Sequence, residues 1–260
     1  EEKFSDALDE HGNKIKVDLN GDGVTGLVTI ENIGDVHLAI GDNRFIGDTQ
    51  YYIVDGSNDP IAITKGGRER GPTDGGWNVT QVEESGDGYE VFWSHVKGKF
   101  EVWKVDASGN FVSKITAHLW QHENTFEVDL NGDLTIGLRT IETIGDVDLA
   151  YGDNKYSGDN KYYIVDGTDA PIGLTRGDAP KGPKSGWSAT QVEESGDGYE
   201  VFWSHVKGKF EVWKVDASGN FVSKITAHLW QHENTFEVDL NGDLTIGLRT
   251  IEDTGDVHLA

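Results

Sequence analysis

Tyr89-Glu90-Val91-Phe92-Trp93-Ser94-His95-Val96-Lys97-Gly98-Lys99-Phe100-Glu101-Val102-Trp103-Lys104-Val105-Asp106 decides the fold. Tyr89, Val91, Trp93 and His95 alternate with Glu90, Phe92, Ser94 and Val96. After Lys97-Gly98 the alternation resumes, Phe100, Val102 and Lys104 against Glu101, Trp103 and Val105. A period of two belongs to a strand, so the stretch predicts a hairpin. Asp106-Ala107-Ser108-Gly109-Asn110 supplies the next turn, with a glycine free to take positive φ, and Phe111–Ile115 makes a third strand of an antiparallel meander. Earlier strands are expected over residues 36–40, 51–54, 61–64 and 78–83.

The same stretch returns. Residues 81–142 recur without a change as 191–252, a displacement of 110 residues. Upstream the match continues with divergence: Asp18-Leu19-Asn20-Gly21-Asp22 answers Asp129-Leu130-Asn131-Gly132-Asp133, and Tyr51-Tyr52-Ile53-Val54-Asp55-Gly56 answers Tyr162-Tyr163-Ile164-Val165-Asp166-Gly167. The one-residue slip between these offsets falls where residues 65–76 face the shorter 176–186, a Gly-rich connection that tolerates insertion. The chain therefore reads as an N-terminal half-repeat, 1–39, followed by β-rich modules 40–150 and 151–260, taken from a longer array of neighbouring repeats.

Composition narrows the function. Lys and Arg number 22 against 46 Asp and Glu among 260 residues, and the net charge of −24 repels phosphate backbones and anionic lipid headgroups alike. Nucleic-acid partners and membrane insertion are not expected. No cysteine is present, which excludes disulfides, zinc ribbons and thiol nucleophiles and leaves the redox compartment open. No apolar run approaches the roughly 18 residues of a membrane span. With 36% hydrophobic residues, 34 Gly and 8 Trp, the chain is read as folded and turn-rich rather than as a disordered acidic tail.

One segment departs from the strand period. In 116–128, Leu119, Glu123, Phe126 and Leu130 form a helical stripe that runs straight into an Asp-rich loop. That loop carries the strongest chemical signal. Asp18, Asn20 and Asp22 place oxygen-bearing side chains at loop positions one, three and five, and Gly23 stands at six, the spacing with which a tight loop wraps a hard cation such as calcium. Asp129, Asn131 and Asp133, and again Asp239, Asn241 and Asp243, keep the three oxygen positions but carry Leu134 and Leu244 at six. If six requires a positive φ, leucine there is strained by about 1 kcal/mol, and those loops are expected to bind more weakly. Backbone carbonyls at seven belong to Val24, Thr135 and Thr245, and Ile136 and Ile246 match the apolar anchor of such loops. Glu31, Glu142 and Glu252, at fourteen, are the carboxylates expected to close the site from the following strand. The alternative is an acidic Asn-Gly turn that binds nothing.

Other constellations are weaker. His118 and His122 could form half a zinc site, yet no third ligand lies nearby and solvent-facing histidines are expected. Glu83 and Glu84 point to opposite faces of a strand and cannot flank one bond, and no nucleophile elbow or phosphate loop is present. No catalytic constellation emerges, so a non-enzymatic protein is expected, a hydrolase being the remote alternative. The tryptophans are expected to pack cores, with Trp77, Trp120, Trp187 and Trp230 as candidates for stacking on sugar rings.

Read in order, Ile30-Glu31-x-x-Gly34-Asp35-Val36-x-Leu38, Tyr51 to Gly56, Gly76-Trp77 with Thr80 to Glu84, Glu101 to Asn110 and Asp129 to Asp133 form a signature. It resembles the tryptophan-rich C-terminal repeat modules of large bacterial proteins, first noted in cyanobacteria and often found beside hemolysin-type calcium repeats. In that family the Asp-Leu-Asn-Gly-Asp run commonly continues with Gly, as here only at Gly23. The resemblance implies secretion or surface display and a calcium-associated extracellular role, without supplying an activity.

The expectation is a mainly β chain of tandem antiparallel sheet or sandwich modules, each with one short helix leading into an Asp-rich calcium loop. It is read as a calcium-stiffened segment of a secreted or cell-surface, adhesin-like protein. Ca2+ is the expected cofactor, and surface glycans are the partners of the alternative carbohydrate-binding reading.

Overall fold

The computed structural model describes residues 26–42, 49–56, 60–72, 75–155, 158–168, 170–249, 252–253 and 258–259. The mainly β plan with a short helix after each pair of sheets is what the chain adopts. The first sheet holds β1 (Val28–Glu31), β2 (His37–Asp42), β3 (Thr49–Val54) and β4 (Ile61–Ala62), and a small hairpin follows from β5 (Thr64–Lys65) and β6 (Arg68–Glu69). The second sheet is β7 (Trp77–Ser85), β8 (Gly88–His95), β9 (Lys99–Asp106) and β10 (Phe111–Ile115), after which comes α1 (Leu119–Phe126). The plan then repeats: β11 (Arg139–Glu142), β12 (Asp148–Asp153), β13 (Asn160–Val165) and β14 (Ile172–Gly173), the hairpin β15 (Thr175–Arg176) and β16 (Ala179–Pro180), and the sheet β17 (Trp187–Ser195), β18 (Gly198–His205), β19 (Lys209–Asp216) and β20 (Phe221–Ile225). Next come α2 (Leu229–Phe236) and the strand pair β21 (Glu252–Asp253) and β22 (His258–Leu259). In each four-stranded sheet, strands adjacent in sequence pair antiparallel, which gives the expected meander.

Two compact units result. The first comprises Glu1–Ala117 with Asn124–Val128, the second His118–Glu123 with Asp129–Ala260, among which the described residues are those given above. Within the first unit one face of each sheet meets the other in a single core. Val36, Leu38, Tyr51, Ile53 and Ile63 pack against Val79, Val82, Tyr89, Val91, Trp93, Trp103 and Val105. Within the second, Val147, Leu149, Tyr162, Ile164 and Leu174 pack against Ala189, Val192, Tyr199, Val201, Trp203, Trp213 and Val215.

Strand alternation explains which faces these are, but β8 and β18 are buried on both sides. Val91 and Trp93 face the first sheet, while Phe92 points the other way and meets Phe126 of α1 edge-on, with ring centroids 5.6 Å apart. Phe202 and Phe236 repeat the contact at 5.7 Å. Phe126 and Phe236, on the stripe of each helix, are 1% exposed.

Turn chemistry follows the residues. Gly86 (φ +64°) sits in the two-residue connection from Ser85 to Gly88, and Gly98 (φ +71°) ends the three-residue connection from His95 to Lys99. The recurring sequence signature acquires roles as well. Asp55, just after β3, accepts the Tyr89 hydroxyl at 2.8 Å, and Asp166 accepts that of Tyr199 at 2.9 Å, tying one sheet to the other within each unit. Glu142 is buried and accepts the backbone N–H of Ile144 and, at 3.3 Å, that of Val192 on β17. Gly145 (φ +95°) makes room for the next carboxylate: a Cβ there would lie 2.0 Å from Glu193 Oε1.

Gly145 and Gly196 separate two penalties. Gly196 also has positive φ (+64°) but faces open space, so Gly196→Ala is expected to cost only the left-handed penalty, about 1 kcal/mol. Gly145→Ala adds displacement of a buried carboxylate and is expected to cost about 3 kcal/mol. Urea unfolding checks the ranking; equal losses would show that Glu193 moves aside freely.

Candidate cation loops and aromatic clefts

The Asp-rich loop is built by its own backbone. Between α1 and β11, Asp129 Oδ1 accepts the N–H groups of Gly132 (2.7 Å) and Asp133 (3.2 Å), and Oδ2 accepts that of Leu134 (2.7 Å). Asn131 Oδ1 takes Asp133 N–H at 2.7 Å and Asp133 Oδ1 takes Thr135 N–H at 2.9 Å. Asp239, Asn241 and Asp243 repeat every one of these bonds. The side chains at one, three and five are thus drawn inward over a wound backbone. Position six does have a positive φ: Leu134 at +71° and Leu244 at +70°, both at least 94% exposed. Leucine carries the strain there with no packing in return.

Position fourteen is a correction. Glu142 was expected to share a strand face with position twelve, but the β11–β12 register shifts between Thr140 and Glu142. The bulge breaks the alternation, leaves Thr140 exposed and turns Glu142 under β17, where backbone N–H groups hold both its oxygens. Glu31 is buried too and accepts the Ile33 N–H through Oε1, but its Oε2 has no hydrogen-bond partner among the described residues. Asp18, Asn20, Asp22 and Val24 lie outside the described residues, as does the side chain of Glu252. Ile136 and Ile246 are about half exposed, at 50% and 51%, and anchor no core.

The carboxylate the fold does bring to the loop comes from the helix. Glu123, on the buried stripe and 0% exposed, accepts the N–H of Gly137 through Oε2 at 3.1 Å, and Glu233 accepts that of Gly247 identically. The remaining oxygen of each, Oε1, is buried with no hydrogen-bond partner among the described residues. Burial lifts the Glu123 carboxyl to about 7, with the charges of Asp133 and Asp129 adding to the rise against the Gly137 N–H. Asp153 of β12, also buried and raised by burial, feels Asp133 as well. The signal for Glu123 was present in the sequence, as a glutamate inside an otherwise apolar stripe. Among the described residues no three His, Cys, Asp or Glu side chains converge into a metal cluster, so an ion here needs Asn131 and backbone oxygens too. The donor set is all hard oxygen, and the orphaned Glu123 oxygen beside like charges is what a missing cation would leave; the residues fit a calcium ion in kind.

His122 is buried against expectation, at 2% exposed, as is its equivalent His232, whose ring lies 5.9 Å from that of Phe210; His118 is half-buried. Burial and the neighbouring His118 push His122 down to about 4.

The tryptophans divide. Trp93, Trp103, Trp203 and Trp213 are core, and Trp120 is 7% exposed with its ring 5.4 Å from that of Tyr163. Trp77, Trp187 and Trp230 are half-buried. Trp77, Trp93 and Trp103, with Arg70 and Glu101, line a cleft of about 210 Å³, and the equivalent cleft of about 320 Å³ in the second unit adds Lys181, Lys184 and Lys224 to Trp187, Trp203, Trp213, Arg176 and Glu211. Arg176 stacks over Trp213 and Phe221, 5.2 and 4.2 Å from their centroids, and Lys224 pairs with Glu211 at 2.5 Å. Burial opposes the charge on Glu211, but Lys224 and Trp213 prevail and hold its carboxyl below the usual range. An acidic chain thus carries a locally cationic, aromatic cleft.

Residues 44–137 and 156–247 each match the family model described as the tryptophan-rich Synechocystis species C-terminal domain. No curated protein matches. Among solved structures, two forms of prolyl oligopeptidase B from Galerina marginata align at 10% and 12% identity, over 75% and 78% of this chain and 27% and 29% of theirs, with TM-scores of 0.25 and 0.26. A chain from a study of two prolyl endopeptidases aligns at 16% identity over 78% of this chain and 27% of its own, with a TM-score of 0.22. The chain spans little more than a quarter of these proteins, and alignments this shallow assign neither fold nor activity.

The Glu123 carboxyl sets a pH test. Its folded value of about 7 lies above the ordinary 4.5, so its contribution is fully present below about 4.5 and is lost as pH rises through 7. Without added metal, Glu123→Gln is expected to be more stable than the parent at pH 8, by about 2 to 3 kcal/mol, and equal to it near pH 4.5. The opposing titration of His122 is common to both proteins and cancels. A pH-independent difference in urea unfolding would refute this role.

Proposed function

The chain belongs to the tryptophan-rich Synechocystis C-terminal domain family, of which it carries two copies, and we propose that it is a calcium-ordered repeat segment, non-enzymatic and displayed outside the cell. One observation carries the reading: in both described loops the side chains at positions one, three and five are gathered by the same backbone bonds, next to a buried glutamate with one orphaned oxygen. A divalent ion supplies the positive charge that this cluster lacks. Asp129, Asn131, Asp133 and the Thr135 carbonyl would hold it in one loop, Asp239, Asn241, Asp243 and the Thr245 carbonyl in the other, with Glu123 and Glu233 beside them. Binding would neutralise like charges and fasten the loop to the helix before it and the strand after it. Calcium in the external medium would then stiffen the chain from one pair of sheets to the next, as an adhesin-like array requires.

Thermal melts in EDTA and in millimolar calcium at fixed ionic strength test this. Ligand at about a thousand times the dissociation constant stabilises by about 4 kcal/mol per site, a rise of several degrees that magnesium is not expected to match. No rise, with no calcium retained after desalting, would return the loops to acidic turns.

A second reading is favoured by the duplicated clefts. Half-buried Trp77 and Trp187 offer an aromatic wall, and the surrounding Arg and Lys suit a carboxylated sugar better than a neutral one. Affinity electrophoresis in polygalacturonate is expected to retard the protein, dextran is not, and Trp187→Ala is expected to lose most of the retardation. Equal mobility in both polymers would remove this reading.

A further inference from the structure

The two aromatic clefts share a wall and differ at a rim. Residues 81–142 and 191–252 are identical, so Trp203, Glu211, Trp213 and Lys224 stand in the second unit where Trp93, Glu101, Trp103 and Lys114 stand in the first. Lys114 pairs with Glu101 as Lys224 pairs with Glu211, both at 2.5 Å. The rim comes from residues 65–76 in one unit and 176–186 in the other, where the sequences diverge. Two of its cations are kept in kind. Lys65 lies over Trp103 and Phe111, 4.5 and 4.0 Å from their centroids, as Arg176 lies over Trp213 and Phe221. Lys181 donates its N–H to the Leu174 carbonyl and accepts that of Tyr162, both at 2.8 Å, and Arg70 makes the same pair of bonds with Ile63 and Tyr51.

A third cation is new to the second unit. Gly182-Pro183 leads into Lys184, whereas Gly71-Pro72 leads into Thr73-Asp74. Lys184 and Trp187 exchange both backbone hydrogen bonds, at 3.1 and 3.0 Å, across a turn whose central residues, Ser185 and Gly186, have φ of +54° and +83°. Positive φ at both central positions marks the tight two-residue turn of a hairpin. Residues directly opposite in an antiparallel pair share a face, so this turn places Lys184 and Trp187 on one face, and both line the cleft. Serine at positive φ is strained by about 1 kcal/mol, yet the turn is held in place. Val206 N–H donates to the Gly186 carbonyl at 3.0 Å, His205 Nε2 lies 3.2 Å from that of Ser185, and the His205 ring meets Trp187 edge-on at 4.9 Å. Arg176 and Lys224 are engaged with aromatic rings and with Glu211, whereas the exposed Lys184 makes no ion pair with a described residue.

We infer that Lys184 is the specificity-determining residue of the second cleft, reading the carboxylate of an acidic sugar whose ring stacks on Trp187. An ammonium and an indole fixed on one face by a rigid turn match a ring that carries its own carboxylate, and the cost of ordering them is already met. The second cleft therefore favours an acidic sugar over its neutral ester more strongly than the first does. This rests on the carbohydrate reading of the clefts and is independent of the calcium reading.

Affinity electrophoresis of the full chain, in EDTA so that no calcium bridges acidic protein and acidic polymer, compares polygalacturonate with its methyl ester. The parent is expected to be retarded more by the acid. Lys184→Gln should weaken binding to the acid about threefold and leave binding to the ester unchanged, and Lys184→Arg should keep the preference. Trp187→Ala is expected to weaken both and abolish the preference, whereas Trp77→Ala leaves the preference intact. Unchanged melting temperatures mark the variants as folded. A preference untouched by Lys184→Gln, with Trp187→Ala still weakening both polymers, overturns the role of Lys184 and leaves the clefts as sugar sites. Equal effects of Trp77→Ala and Trp187→Ala on the preference overturn its assignment to the second cleft. A parent retarded by neither polymer removes the carbohydrate reading and this inference with it.

Discussion

Burial of the second sheet on both faces is the constraint on which each unit depends. A sheet of four short strands has one face for a partner sheet and another that must be solvated or covered. Here β8 and β18 carry bulky apolar side chains on both: Val91 and Trp93 toward the first sheet, Phe92 toward the helix. The helix is short and would not persist alone in water. It exists because Phe126 and Phe236 are needed on that second face, and a glutamate of the same stripe is carried inward as a consequence.

Acidic groups inside an acidic protein follow a consistent pattern. Glu31, Glu83, Glu142 and Glu193 sit at the contact between paired sheets, each raised by burial, and backbone N–H groups offset the loss of water. Glu142 and Glu193 also repel one another, which tightens the demand on the glycine that admits them. Glu123 differs in feeling the charges of Asp133 and Asp129, against the backbone N–H groups of Gly137 and Leu130. Glu142 has both oxygens answered, whereas Oε1 of Glu123 and of Glu233, like Oε2 of Glu31, has no hydrogen-bond partner among the described residues.

Much of this was legible in the residues. The two-residue period of Tyr89 to Asp106 predicted the meander, the turns at Gly98 and Gly109 fell where strands had to reverse, and the Leu119, Glu123, Phe126 stripe predicted the buried face of the helix. What escaped was parity and depth. A single bulge between Thr140 and Glu142 turns Glu142 to the other face, and no periodicity in four residues reveals it. His122 reads as a surface histidine because polar residues flank it, yet it is 2% exposed, as its equivalent His232 is. The aromatic clefts gather residues from the short hairpin, the sheet edge and its neighbour, a grouping that sequence spacing does not contain.

By itself the sequence determined the strand period, the tandem duplication, the helix before each described Asp-rich loop and the oxygen-bearing side chains at one, three and five, because each rests on local geometry repeated over a few residues. Tertiary structure alone decided which side chains are covered. Leu119-Trp120 and Leu229-Trp230 lie in identical surroundings of sequence, yet one pair is sealed under Tyr163 and Asn154 and the other stays half open. Burial depends on what lies across the surface, and that neighbour is supplied by a hairpin distant in the chain.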